Sequence, residues 1–179
     1  VRSRNQLLLD FSRKEVRDCV FDQICAVLDQ GKIDYVKWDM NRSMADVYAG
    51  NLSYDYVLGV YNFMERLCSR YPDLLLEGCS GGGGRFDAGM LYYSPQIWCS
   101  DNTDAINRTR IQYGTSFFYP ISVMGAHVSA VPNHQTGRVT SFHTRGVTAM
   151  AGTFGYELNP AFLSDEEKQQ IREQIKTYK

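Results

Sequence analysis

Hydrophobic positions along the chain follow helical spacing in some segments and form short continuous runs in others. Apolar residues recur every three or four positions after Ser12 and again over residues 57–67, which predicts two helices. Ser12 and Glu15 have the spacing of a capping box, whose side chains satisfy free N–H groups at a helix start. Further helices are predicted over about 104–113, 138–150 and 164–178, the last capped by Ser164 with Glu167.

The continuous apolar runs predict buried strands. They cover residues 33–38, 74–76, 97–99, 116–123 and 152–156, and they alternate with the helices. Strands without polar alternation, separated by helices, are typical of a parallel sheet covered by helices. About five βα units are predicted, whereas a closed eightfold barrel usually needs about 250 residues. The pattern therefore fits an open doubly wound sheet or part of a barrel, and it does not choose between them.

Composition narrows the functional classes. The chain has 179 residues, of which 44% are hydrophobic, and a formal net charge of −1. This balance, without a basic run, argues against nucleic acid or an anionic membrane as a partner. No apolar stretch approaches the roughly 18 residues of a membrane span. Five cysteines without framework spacing are expected to be free thiols in a reducing compartment, so we expect a cytoplasmic protein.

Polar side chains follow three consecutive predicted strands. Lys37 and 39–41 end one strand, 77–80 end the next, and 100–104 end the third. In barrels and open α/β sheets alike, functional sites are built at the carboxyl ends of the strands. We therefore expect a shared polar site at this edge.

Two carboxylates from different strand ends, Asp39 and Asp101, match the requirement of glycoside hydrolysis. Lys37 projects on the same side of its strand as Asp39, and a cation there would keep a nucleophilic carboxylate ionised. Partial desolvation beside Trp98 could raise the pKa of Asp101, as a general acid needs. Asp104 competes for the acid role, but it opens an apolar helical run, which favours helix capping.

Other candidates are weaker. The run CSGGGGRFD, residues 79–87, lacks the Gly-Lys-Ser/Thr ending of a phosphate loop, so it is either a close backbone approach to a ligand or a flexible loop. Trp38 and Trp98 are either core residues or aromatic walls for a sugar. The three histidines match no common zinc spacing, and Ser80 lacks a nucleophile elbow.

Five segments together carry a specific pattern: DYVKWDMNRS, EGCSGGGGRFDAGMLYY, IWCSDNTDA, IQYGTSFFYPISVMGAHVSAVPNHQTGR and FGYELN. In them the chain resembles the catalytic domain of glycoside hydrolase family 36, specifically its bacterial α-galactosidases (melibiases), over essentially its whole length. The resemblance implies a (β/α)8 TIM-barrel of which residues 1–179 supply about the last five to six βα units. The N-terminal β-sandwich, first barrel strands and C-terminal β domain of complete enzymes would be absent.

The same resemblance implies a cofactor- and metal-free retaining hydrolase that removes terminal α-linked galactose from melibiose and raffinose-type sugars. Asp39 would be the nucleophile and Asp101 the acid/base. The substrate-binding residues would be Arg4, Lys37, Trp38, Asn41, Cys79 and Gly82, with Cys79 and Gly82 near the 2-hydroxyl. The parent enzyme is expected to be a homo-oligomer.

Two departures from the family pattern matter. No Asp-Asp pair, which in the family binds the galactose 4- and 6-hydroxyls, occurs in this sequence, and the stretch after Asn41 is shorter than expected. We therefore expect the isolated chain to be inactive alone. Preference for α-N-acetylgalactosamine, transfer to a sugar acceptor, and a non-catalytic sugar-binding fragment remain open alternatives.

Overall fold

The chain folds as an α/β protein, as the alternating pattern predicts. The computed structural model describes residues 5–44, 47 and 50–179, and the chain divides into two compact units, Val1–Pro95 and Gln96–Lys179. The strand pairs within the units are parallel. Among the described residues, no helix is long and apolar enough to cross a membrane.

The first unit alternates helices with two strands. Its elements in chain order are α1 (Lys14–Leu28), β1 (Tyr35–Asp39), α2 (Leu52–Arg70), β2 (Leu75–Cys79) and α3 (Ala88–Tyr93). The parallel register of β1 and β2 sets Lys37 opposite Glu77 and Asp39 opposite Cys79. Since side chains alternate along a strand, these four lie on one face, and Trp38 projects from the other.

Aromatic packing against α2 forms the core of the first unit. Phe63 on α2 is fully buried, and its ring lies 4.9 Å from that of Trp38 and 5.3 Å from that of Phe11. Burying large aromatic side chains contributes about 2–3 kcal/mol each. Gly59 on the same helix permits the approach of the chain before α1, because a Cβ there would lie 1.9 Å from the carbonyl oxygen of Phe11.

The second unit contains three strands and three α-helices. They are β3 (Gln96–Trp98), α4 (Ala105–Ser116), β4 (Met124–Ser129), α5 (Phe142–Ala149), β5 (Thr153–Glu157) and α6 (Asp165–Tyr178). β4 pairs with both β3 and β5. The hydrophobic core cluster of the second unit contains Ala126, Val128, Phe142 and Ala149.

One predicted strand is wrong, and one short helix was not predicted. No strand covers residues 116–123, which contain the end of α4 and a short 3₁₀ turn at Ile121–Val123; the strand follows at Met124–Ser129. Phe117 and Phe118 give this stretch a strand-like composition, but they are 67% and 83% exposed, whereas Met124 is fully buried. The six-residue helix α3 was not predicted, since it is too short to show periodicity.

Of the two predicted capping boxes, one is confirmed and one is wrong. Ser164 caps α6 and exchanges hydrogen bonds with Glu167, as its spacing predicts. Helix α1 begins after Arg13 without a side-chain cap, and the Ser12 hydroxyl donates instead to Asp10 Oδ1 at 2.6 Å. Glu15 bonds Arg13 rather than the backbone of residue 12.

Candidate active site

Asp39 is the last residue of β1, and Asn41 Nδ2 donates to its Oδ2 at 2.7 Å. The nearby Cys79 thiol and the backbone N–H groups of Met40 and Gly81 also favour the ionised carboxylate. Partial burial acts to raise the pKa of Asp39, but these hydrogen bonds outweigh it and hold the pKa below its usual value. The carboxylate remains exposed, so a ligand can reach it.

The Cys79 thiol is suited to act as a donor. Burial raises its pKa to about 11, and the hydrogen bond to Asp39 acts in the same direction. The thiol therefore keeps its proton throughout the neutral range. The cross-strand register explains the contact, because Asp39 and Cys79 are partners at the carboxyl ends of β1 and β2.

Lys37 forms an ion pair that the sequence did not reveal. Its Nζ lies 3.3 Å from Oε1 of Glu77, whose side chain is fully buried. The Tyr35 hydroxyl donates to the other oxygen of Glu77 at 2.5 Å. The pKa of Asp39 is lowered mainly by Cys79, Asn41 and backbone N–H groups, rather than by the charge of Lys37 as the sequence suggested.

The glycine run closes over the carboxyl ends of β1 and β2. Gly81 and Gly82 have φ angles of 55° and 89°, in the left-handed region that favours glycine. The Arg85 guanidinium donates to the carbonyl oxygens of Trp38 and Cys79 at 3.2 and 2.7 Å. Because Arg85 binds main-chain oxygens and the backbone N–H of Gly81 bonds Asp39, the loop serves the carboxylate site and does not resemble a phosphate cradle.

Trp38 packs inside the first unit. Its ring contacts those of Phe11 and Phe63, on the strand face opposite Asp39. This geometry favours the core interpretation over a sugar wall. Arg4, also proposed to bind substrate, lies outside the described residues.

The second unit presents Asp101 in the loop after β3. Trp98 Nε1 donates to Asp101 Oδ1 at 3.0 Å, and the Asp101 side chain is exposed. Trp98 itself is only 3% exposed. This hydrogen bond was missed from the sequence, where Trp98 was considered as a core residue, as a sugar wall, or as a neighbour that partly desolvates Asp101.

Asp104 is a structural residue, as the capping interpretation favours. Its side chain caps α4 by accepting from the backbone N–H groups of Ile106 and Asn107, and it also binds Thr136 and Arg138. Burial acts to raise its pKa, but these donors lower the pKa overall. Asn133 Nδ2 adds a 3.0 Å hydrogen bond to Thr103 Oγ1, so residues 133–138 are tied to the loop that presents Asp101.

The three histidines have different surroundings. The His127 ring lies 4.7 Å from that of Trp98, and its Nδ1 lies 3.7 Å from Glu157 Oε2. His134 and His143 are exposed. In the part of the chain that the structure describes, no group of three or more His, Cys, Asp or Glu side chains could hold a metal ion.

Comparison with known proteins places these residues in a family. The melibiase family model matches residues 1–179. The chain is 97% identical over its full length to the bifunctional α-galactosidase/sucrose kinase AgaSK of Mediterraneibacter gnavus, covering 19% of that protein. It is 57% identical to the α-galactosidase Mel36A of Lactobacillus acidophilus, covering 99% of this chain and 25% of the relative.

Comparison with a solved structure supports the same family. A variant of the GH36 α-galactosidase AgaA from Geobacillus stearothermophilus, in complex with raffinose, superposes with a TM-score of 0.96 at 53% identity. The superposition covers 99% of this chain and 26% of that one, so the chain spans about a quarter or less of the length of these relatives. On the strength of the family model and these relatives, the chain belongs to the melibiase family of GH36 α-galactosidases.

Proposed function

We propose that this chain is the part of a retaining α-galactosidase that supplies both catalytic carboxylates, within a (β/α)8 barrel completed by the rest of the parent protein. The observation that carries the proposal is Asp39, an exposed carboxylate at a strand end that accepts a hydrogen bond from Asn41 and whose pKa is lowered. A glycosidase nucleophile needs this combination of access and charge. Membership of the melibiase family supplies the sugar class.

Asp39 attacks the anomeric carbon in the first step. A bond forms between its carboxylate oxygen and that carbon, and the bond to the departing oxygen breaks. Asp101 gives its proton to the departing oxygen. Water then attacks the glycosyl-enzyme, Asp101 takes a proton from the water, and galactose leaves with its original configuration.

The substrates proposed are terminal α-galactosides of the raffinose type. The AgaA variant was solved in complex with raffinose, and another was solved with stachyose. Lys37 and Asn41 lie on β1 and just after it, where they would bind sugar hydroxyls. The loop containing Cys79 and Gly82 would face the 2-hydroxyl, and Arg4 would also contact the sugar. The parent protein is proposed to be a cytoplasmic homo-oligomer.

Substitution of the nucleophile tests the proposal. In the full-length protein that contains this chain, Asp39→Asn is expected to lower kcat for raffinose by about a thousandfold or more, because the covalent intermediate can no longer form. The matched control is Asp73→Asn, an exposed carboxylate in the turn before β2 that should leave kcat unchanged. Retention of most activity by Asp39→Asn would contradict the assignment.

Asp101→Asn tests the second carboxylate in a different way. Hydrolysis of raffinose should fall steeply, and azide should restore turnover of an activated aryl α-galactoside by attacking the glycosyl-enzyme without needing a base. NMR of the first galactose released by the unmodified protein should show the α anomer. Release of the β anomer would exclude the retaining mechanism, and turnover of only α-N-acetylgalactosaminides would reassign the sugar.

A further inference from the structure

Trp98 is a buried side chain with a single polar atom, and that atom contacts the proposed acid/base. The indole is 3% exposed, and its N–H donates to Asp101 Oδ1 at 3.0 Å. Since Trp98 is the last residue of β3 and Asp101 follows three residues later, the bond spans the loop that presents the carboxyl group. The indole N–H can only donate a hydrogen bond, so the carboxyl oxygen of Asp101 is the acceptor.

The surrounding residues fix the position of the indole. The Arg108 guanidinium lies 4.3 Å from the centre of the Trp98 ring, and Arg108 is itself 3% exposed. Its nitrogens bond Cys99 Sγ at 2.7 Å and the carbonyl oxygen of Gly125 at 3.1 Å. Gly125 leaves room for the indole, because a Cβ there would make a tight contact of 3.0 Å with Trp98 Cε3.

His127 completes this environment from β4. Its ring lies 4.7 Å from the Trp98 ring, with an interplanar angle of 31°. Trp98 is thus held by a cation–π contact and a ring contact, each of which contributes about 1 kcal/mol. The N–H group therefore has little freedom to follow the carboxylate if Asp101 rotates.

We propose that Trp98 is a positioning residue for Asp101, which rests on the proposed function of Asp101 as the acid/base. By holding Oδ1, the indole N–H leaves Oδ2 as the oxygen that carries the proton and fixes the direction in which the proton is delivered. A general acid acts only when its proton lies within hydrogen-bond reach of the departing oxygen. The exposed carboxyl group would otherwise sample several orientations.

The proposal predicts a dependence on the leaving group. Departure of the sugar from raffinose needs protonation, whereas p-nitrophenolate is stable enough to depart with little help. A defect confined to proton delivery should therefore lower kcat/KM for raffinose more than for p-nitrophenyl α-galactoside. A general loss of folding or binding lowers both values alike, and kcat/KM reports the steps up to the glycosyl-enzyme for both substrates.

The experiment uses Trp98→Phe in the full-length protein, which removes the N–H and keeps an aromatic ring. We expect kcat/KM for raffinose to fall about tenfold or more relative to that for p-nitrophenyl α-galactoside, a fraction of the effect of losing general acid catalysis. Trp38→Phe is the matched control, because it makes the same chemical change at a ring packed against Phe63. Trp38→Phe should change kcat/KM for the two substrates by the same factor.

Equal losses on the two substrates in Trp98→Phe would overturn the proposal and assign Trp98 to packing alone. If that variant fails to fold, replacement of Trp98 by 3-benzothienylalanine, which has the indole shape without the N–H, makes the same comparison. Asp101→Asn distinguishes an error in the proposed acid/base role of Asp101 from an error in the positioning role of Trp98. If Asp101→Asn loses raffinose hydrolysis selectively and Trp98→Phe does not, the proposed function stands and the positioning role is wrong.

Discussion

At the scale of single residues, the chemistry of Asp39 depends on a neighbour that is seldom a strong donor. The Cys79 thiol is one of four groups that lower the pKa of Asp39, together with Asn41 and the backbone N–H groups of Met40 and Gly81. A carboxylate with a lowered pKa stays ionised further into acid. The acid limb of the pH profile of kcat/KM should therefore depend on these donors.

Cys79→Ala is expected to move the acid limb of kcat/KM to higher pH. Loss of the donor returns the pKa of Asp39 towards its usual value, so the nucleophile becomes protonated earlier as the pH falls. Cys79→Ser is the matched control, because a hydroxyl can still donate. A pH profile of the full-length protein measures both, and an acid limb that is unchanged in Cys79→Ala would show that the thiol does not contribute.

Residue-level chemistry was only partly predictable. Asp39 and Asp101 were proposed as the catalytic pair from their positions after apolar runs and from the family resemblance, and the structure places each at or just after the end of a strand. The partners Glu77 and Trp98 were not assigned their roles, because Glu77 meets Lys37 only through a register across 40 positions of sequence, and the indole bond depends on a loop conformation. Spacing along the chain contains neither of these facts.

At the scale of elements, the N-cap residue Asp104 fixes the start of helix α4. Asp104 joins the start of α4 to residues 136–138, through the Thr136 hydroxyl and Arg138. The side chain of Asp104 is fully buried, so its partners have few alternatives in water. The stability of this element therefore depends on one ionised carboxylate.

Asp104→Ala should lower the free energy of unfolding by about 2–4 kcal/mol, because a cap is lost and buried donors are left without an acceptor. The pKa of Asp104 is lowered in the folded state, so its stabilisation is present above the unfolded pKa and is lost as the pH falls through the folded pKa. Urea denaturation of the full-length protein at several pH values measures this difference.

Two other variants are controls for the cap. Asp104→Asn keeps an acceptor for the helix start but not the charge facing Arg138, so its loss should be smaller and should vary less with pH. Ser164→Ala removes the exposed cap of α6 and should cost only about 1 kcal/mol. A loss in Asp104→Ala no larger than that in Ser164→Ala would contradict the central role of this carboxylate.

Element prediction failed where burial overrides propensity. Residues 124–129, MGAHVS, contain few typical strand formers, yet Met124, Ala126 and Val128 are fully buried and form β4. The stretch before them has the aromatic and β-branched residues that strands favour, but it is exposed. Helices α1, α2 and α6 were predicted correctly because each is long enough for its apolar spacing to repeat.

At the scale of the whole molecule, the chain spans 19–25% of two α-galactosidase relatives. Large apolar side chains are exposed in both units, among them Leu7 at 63% and Phe118 at 83%. The family resemblance assigns binding of the galactose 4- and 6-hydroxyls to an Asp-Asp pair that this sequence does not contain. Catalysis is therefore expected to require the longer protein.

The isolated 179-residue chain should not turn over p-nitrophenyl α-galactoside, although it contains both proposed catalytic carboxylates. Without the rest of the sugar pocket, binding energy cannot orient the anomeric carbon at Asp39. A chromogenic assay of this chain beside the full-length protein, at equal concentration and with folding checked by circular dichroism, makes the comparison. Robust turnover by the folded isolated chain would contradict this expectation.

The register of β1 against β2 has a consequence for how such proteins can vary in length during evolution. Lys37 faces Glu77 and Asp39 faces Cys79, so one residue inserted in β1 before Lys37 would turn the Asp39 carboxylate towards the Phe63 side and Trp38 towards the opposite face. Insertions and deletions of one residue are therefore expected to be disfavoured between Tyr35 and Asp39. Changes in length are easier to accommodate beyond the strand's end, where the residue-by-residue register of β1 against β2 stops.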